Sequence, residues 1–325
     1  MYIPTADITK ANTYTGRNLI AAGIYTPTQA NGAAAITIGR RAISNGSMSI
    51  ALGLDANSQG LASLAVGTNA LAAGDVATAL GTSSLANGVG ASALGAGSNA
   101  FGANSTAIST RSLASGANTM ALGFNASATQ ADGVALGRGA ASTGANSYAL
   151  GTLAQAKSTQ AIAIGNGAVA DSNNGGNNAG QAIAIGANAY AHSQDSSATG
   201  GNTAIAIGRN SYAELSGVAI GYGTQASQGG AVAIGYAANA KDSASGVAIG
   251  DWANATGNNA IAIGGNAGST ATQANGNGAM AIGSGSKASG TGAVALGGLG
   301  GTAGGSAATK DFAVAIGAAA YATET

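Results

Sequence analysis

One tetrapeptide, aliphatic–Ala–Ile/Leu–Gly with close variants, limits what this chain can fold into. Its last residue falls at Gly39, Gly53, Gly67, Gly81, Gly95, Ser109, Gly123, Gly137, Gly151 and Gly165, each 14 residues after the one before. It falls again at Gly186, Gly208, Gly221, Gly235, Gly250, Gly264, Gly283, Gly297 and Gly317, which makes 19 copies. Polar Gly/Asn/Ser-rich insertions lengthen the spacing to between 19 and 22. A fixed period over most of a chain means a stacked repeat architecture.

Each period has two halves. The first reads small–aliphatic–Ala–aliphatic–Gly, as in Ala161-Ile162-Ala163-Ile164-Gly165. The second, seven residues on, reads small–x–small–x–Gly, as in Ala70-Leu71-Ala72-Ala73-Gly74. Both alternate with period two, the mark of a strand, and each spans about five residues. Glycine at the ends supplies positive φ for tight turns. A helix with Gly every seven residues would lose roughly 1 kcal/mol at each relative to Ala. The spacing therefore predicts an all-β fold: a parallel β-solenoid with two short strands per coil and about 19 coils. At ~4.8 Å per strand it would be roughly 90 Å long.

Composition agrees. Among 325 residues there are 56 Gly but only three Phe, one Trp and four Met, too few for a large conventional core. Two prolines and no G-X-Y period exclude collagen. A chain 46% hydrophobic and 7% charged is not a disordered one. Eleven basic residues offset eleven acidic ones, so no electrostatic footprint for nucleic acid exists. There is no cysteine. The apolar run Leu19–Tyr25 is too short to span a bilayer, so direct membrane insertion by this chain is not expected. The first residues lack a basic n-region, so export would use a signal already removed or another route.

The side-chain pattern points outward as well as inward. The residue two before the turn glycine is Ala in all copies but one, Thr37. The residue just before it is large and aliphatic: Ile38, Leu52, Leu80, Leu94, Leu122, Leu136, Ile164 and Ile185 in the first part of the chain. Ile207, Ile220, Ile234, Ile249, Ile263, Ile282, Leu296 and Ile316 continue the column. The second strand has a small face (Ala70, Ala72, Gly74) and a variable, often polar face (Asn87, Asn99). Small faces on both strands imply a thin interior of Ala on Ala, with the aliphatic ladder outside. Covering such a ladder is worth about 25 cal/mol per Å², and an uncovered one exceeds the patch a monomer tolerates. A homotrimer about the long axis covers it, making those sixteen residues the expected subunit interface. The competing arrangement turns the aliphatics into the coil and gives a soluble monomer.

This pattern resembles the YadA-like head domain of trimeric autotransporter adhesins, with its S-V-A-I-G-x-x-[AS]-x-A-x-G unit. Ser49-Ile50-Ala51-Leu52-Gly53 followed by Ala56-Asn57-Ser58-Gln59-Gly60 fits it, as does Ser98-Asn99-Ala100-Phe101-Gly102 after Ala93-Leu94-Gly95. The resemblance covers residues 33–319. It implies a left-handed, trimeric β-roll exposed on a bacterial cell surface, non-enzymatic, and binding a ligand on host cells or extracellular matrix. Residues 1–32, with Pro4 and Pro27, would form an adaptor or cap outside the repeat, and 320–325 a tail. No neck motif, heptad stalk or membrane-strand segment follows Gly317, so the anchor is expected outside these residues. The alternative is a phage, virion or extracellular fibre that uses the same roll as spacer and receptor-binding element.

No residue pattern supplies catalysis, a cofactor or a metal cage. His192, the lone histidine, lies in Ala191-His192-Ser193-Gln194-Asp195-Ser196 without an elbow or oxyanion motif and reads as an exposed loop residue. Ser284-Gly285-Ser286-Lys287 is not a P-loop. Gly300-Gly301-Thr302 lacks the Asp of calcium-binding β-helix repeats. Ice binding would want regular Thr columns, and the exposed columns are irregular. Binding is expected instead on insertions near 171–181, 192–203, 266–278 and 298–312, or on an aromatic edge. Arg209, Tyr222, Tyr236 and Asp251 each follow the turn glycine in four consecutive coils, with Trp252 adjacent; Tyr190 and Tyr212 fall four residues after theirs. Aromatic and Arg side chains are enriched at binding surfaces; simple stacking between coils is the other reading of these columns.

Overall fold

The computed structural model describes residues 20–22, 28–172, 181–193, 203–242, 244–265, 270–298 and 305–323. They form two compact units, Met1–Leu153 and Ala154–Thr325, of one repeating design. The described residues contain parallel strands and turns and no helix. The design is an all-β parallel solenoid of about 19 turns.

In the Met1–Leu153 unit, three-residue strands stack in chain order from Ile36–Ile38 and Ile50–Leu52 to Tyr148–Leu150. Two-residue strands, from Ile43–Ser44 to Ala141–Ser142, make a second sheet. Register is strict: Ala93 pairs with Ala79 and Ala107, and Leu94 with Leu80 and Ile108. The strands are shorter than the five residues expected because each seven-residue half must also hold a complete turn. The turn's third residue adopts the left-handed conformation, as at Asn69 (φ 57) and at Val76 (φ 58), where a β-branched side chain makes it costly. The ladder also starts earlier than the repeat. Ile20–Ala22 pairs with Ile36–Ile38, and Gln29–Ala30 with Ile43–Ser44. Part of the segment placed outside the roll is thus in it; the degenerate Ile-Ala-Ala-Gly and its 16-residue offset concealed this.

In the Ala154–Thr325 unit the first sheet runs from Ile162–Ile164 to Val314–Ile316. The second begins at Gln155–Ala156 and thins to single bridges at Asn239. It resumes at Asn254–Ala255 and ends at Tyr321–Ala322.

Inside each coil four positions point inward, such as Ala77, Ala79, Ser84 and Ala86, all at most 1% exposed. The largest fully buried side chains are Thr37, Thr119, Thr224 and Thr272. Among the described residues nothing larger than Thr is fully buried, and the Ile/Leu column before the turn glycine lies outside the coil, which rules out the inward-facing alternative. Where serine replaces alanine its hydroxyl is in most cases satisfied locally, Ser105 and Ser158 being exceptions. Ser49 Oγ donates to the Gly46 carbonyl (2.6 Å) and Ser63 Oγ to that of Gly60 (2.7 Å). With so small a core, stability comes from ladder hydrogen bonds between neighbouring coils, such as Gly53 N–H to Ile38 O (2.8 Å), and is nearest-neighbour in character.

The two glycine columns share close backbone approach between coils, and the first adds a positive φ. Gly53 has φ +137°, open only to glycine. Gly88 does not have positive φ, contrary to the sequence expectation. A Cβ there would lie 2.0 Å from the Gly102 carbonyl oxygen of the next coil, so close backbone approach selects the residue.

Candidate functional site

The outer face of the first sheet carries the aliphatic columns. In the Met1–Leu153 unit, Ile38, Leu80 and Leu136 are 45%, 44% and 42% exposed, while Leu52, Leu94 and Leu122 are half-buried. In the other unit, Ile164 and Ile316 are exposed. There Ile185, Ile207, Ile220, Ile234, Ile249, Ile263, Ile282 and Leu296 are half-buried. Each stands in register with the same position of a neighbouring coil, and none enters the core. The column at the start of the same strands is apolar in Ile36, Ile50 and Leu64 but polar at Thr78, Ser92 and Thr106. Sequence reasoning missed a neighbouring apolar edge. Met48, Leu61, Val76 and Val89, in successive turns that precede the first strands, are 58%, 45%, 62% and 58% exposed. Their signal was available: each lies one or two residues after a second-half glycine.

The aromatic columns form in the Ala154–Thr325 unit. Tyr222 and Tyr236 stack with centroids 5.2 Å apart and planes 6° from parallel. The Arg209 guanidinium lies 5.4 Å from the Tyr222 ring centroid, within cation–π range. Trp252 closes the other end, 5.9 Å from Tyr236 and tilted 58°. Trp252 takes this place rather than Asp251, which has no ring to stack and stays exposed. Tyr222, Tyr236 and Trp252 are 42%, 51% and 50% exposed. The rings meet one another along the column and about half of each residue remains open to solvent.

The second column pairs Tyr190 with Tyr212, 5.2 Å apart and 7° from parallel. Tyr212 Oη donates to Glu214 Oε1. Burial, followed by the charges of Asp171 and Glu214, raises the Tyr190 pKa. Burial, then the bond to Glu214, raises that of Tyr212. His192 is not an exposed loop residue: it sits in the strand Tyr190–Ser193, is 8% exposed and lies 5.7 Å from the Tyr190 ring. The insertions therefore begin later than expected, since Asp171, Ser172, His192 and Ser193 are strand residues. Residues 173–180, 194–202, 266–269 and 299–304 lie outside the described residues, whereas the later parts of the expected insertions 266–278 and 298–312 belong to the second sheet, with strands Gln273–Ala274 and Ala307–Ala308.

Polar side chains also align between coils. Arg41 and Asp55 form an exposed two-bond ion pair at 2.5 Å, and the bond from Arg41 lowers the Asp55 pKa. Asn118 bridges Asn104 (3.3 Å) and Asp132 (3.1 Å). Such pairs trim the surface and contribute little each.

A family model described as "YadA head domain repeat (2 copies)" matches residues 58–84, 86–108, 114–140, 142–168, 178–203, 215–238, 243–267 and 274–299, more than half the chain. Most of these matches span nearly two 14-residue periods. No curated protein matches the chain.

Proposed function

The chain belongs to the YadA head family, and on that premise we propose that it is the non-enzymatic head of a trimeric surface adhesin. Three copies pack the outer faces of their first sheets together, and the remaining surfaces face a ligand on host cells or extracellular matrix.

The observation that carries this reading is the division of side chains by size. Everything fully buried within a coil is Thr or smaller, while the large aliphatics form columns outside it. A stripe of that kind is stable in water only when covered, and identical columns on a second and third copy match it rung for rung. Repetition then serves adhesion, because many weak contacts presented together act as one strong one. The exposed column Arg209, Tyr222, Tyr236 and Trp252 is the surface we assign to ligand contact, with Tyr190 and Tyr212 beside His192 as a second patch.

The test is saturable binding of the purified protein to cell monolayers and matrix-coated surfaces. A triple variant, Tyr222→Ala, Tyr236→Ala and Trp252→Ala, should keep its assembly state and lose most binding. Unchanged binding by the folded triple variant would remove the aromatic column from the account. Absence of saturable binding by the assembled wild type would remove adhesion itself.

A further inference from the structure

The column Arg209, Tyr222, Tyr236 and Trp252 stands apart in what it leaves unspent. Among the described residues, no hydrogen bond or ion pair within the chain uses the Arg209 guanidinium, the two phenol hydroxyls or the indole N–H. Arg209 and Trp252 can only donate, and each phenol can donate and accept. Asp251, exposed beside Trp252, adds an acceptor. The ridge is thus aromatic and polar at once, with one cation at its first rung and one anion at its last.

Beside the tyrosines lies open space. Gly223 and Ala237 follow Tyr222 and Tyr236 and share the left-handed backbone of Trp252 (φ 66, 52 and 57). Where the last coil places an indole, these two place nothing larger than a methyl group. A Cβ added at Gly223 would meet no atom within 4 Å. A strip of small residues therefore runs beside the tyrosine pair and ends at Trp252, whose ring is tilted 58° to Tyr236 rather than stacked flat on it.

Rung height selects among linear ligands. The rings recur at 5.2 and then 5.9 Å. Same-face side chains of an extended peptide recur every ~6.7 Å, and those of a polyproline-type helix every ~9 Å. Neither keeps step with successive rungs. A β-linked hexopyranose chain presents one ring, with its hydroxyls, at close to the height of one rung. Each sugar is amphipathic in the way the ridge is, with C–H faces for an aromatic ring and hydroxyls for donors and a carboxylate. It carries no charge, which suits a ridge whose cation and anion balance.

Resting on the adhesin reading for its setting on host cells or matrix, we propose that this ridge binds uncharged glycan. One hexopyranose lies on the strip of Gly223 and Ala237 with its C–H face against Trp252. Its hydroxyls and those of its neighbours accept from Tyr222, Tyr236 and Arg209 and donate to Asp251.

The chain has one tryptophan, so its emission reports on this rung alone. Glycans released chemically from a matrix preparation and stripped of sialic acid are titrated into the whole chain, and emission should change saturably. The double variant Tyr222→Phe, Tyr236→Phe keeps both rings, removes both hydroxyls and should weaken the midpoint about tenfold. A flat titration of the wild type, or an unchanged midpoint in the folded variant, would overturn the proposal. In the adhesion assay, the wild type should lose most binding to surfaces whose sugar diols have been oxidised with periodate and reduced with borohydride. Full binding to oxidised surfaces would overturn the glycan assignment and leave adhesion standing, with polypeptide as the ligand. Failure to bind any untreated surface would remove adhesion and leave the titration to decide alone.

Discussion

Leu136→Ala measures directly whether the aliphatic columns are covered. Leu136 stands between Leu122 and Leu150 on the outer face of the first sheet and is 42% exposed in a single chain. The substitution removes three carbons, worth about 2.4 kcal/mol when fully buried, at about 0.8 kcal/mol each. Neighbouring coils already hide a little over half of the residue, so an isolated subunit loses about 1.4 kcal/mol of that. The remaining ~1 kcal/mol arises only where other copies cover the side chain, and three copies make it ~3 kcal/mol per assembly. The trimer association constant should therefore fall about a hundredfold. A dilution series read by light scattering reports it, with melting temperature against concentration as a second readout. Leu80→Ala, four coils away, should behave alike and combine additively. An unchanged dissociation profile in both variants would refute the reasoning, because it would mean that the columns face water.

Other consequences follow from the thin coil. Ala93→Leu, at a fully buried position between Ala79 and Ala107, should cost about 3 kcal/mol or more by overpacking, measured by denaturant unfolding. Gly88→Ala should cost at least about 2 kcal/mol although its φ is ordinary, since its Cβ meets the Gly102 carbonyl at 2.0 Å. Gly90→Asn should be tolerated despite φ +67°, because Asn104 and Asn118 hold the same left-handed position one and two coils on. Tyr190 and Tyr212 have raised folded-state pKa values. The stability they contribute is whole below the unfolded tyrosine value of about 10 and is lost as pH rises through the folded values. Phenolate absorbance should show both titrating above the ordinary tyrosine range, and Glu214→Gln should bring Tyr212 closer to normal.

The repeat made the architecture legible because a two-sheet roll imposes one size rule at each position. The alanine column, broken only at Thr37, set the interior, and the aliphatic residue beside it had nowhere to go but out. Strand length was less legible, because turn residues such as Ala62 and Val76 adopt left-handed backbone without the Gly or Asn that would announce it. Gly88 looked like a turn glycine, yet its cause is a neighbour 14 residues away in sequence. The aromatic column was readable from spacing alone, but its last member was not. Asp251 holds the expected position after the glycine, and Trp252 takes the rung because only a ring gains by meeting Tyr236. His192 was misplaced because widening of the second sheet depends on pairing across insertions, which interrupt the period that had guided every other assignment.

Sedimentation equilibrium of the purified chain bears most directly on whether the outer aliphatic columns are subunit contacts. The account predicts a single species of three times the 30.2 kDa chain mass at all but the lowest concentrations. A well-behaved 30.2 kDa monomer, folded and soluble at high concentration, would contradict it.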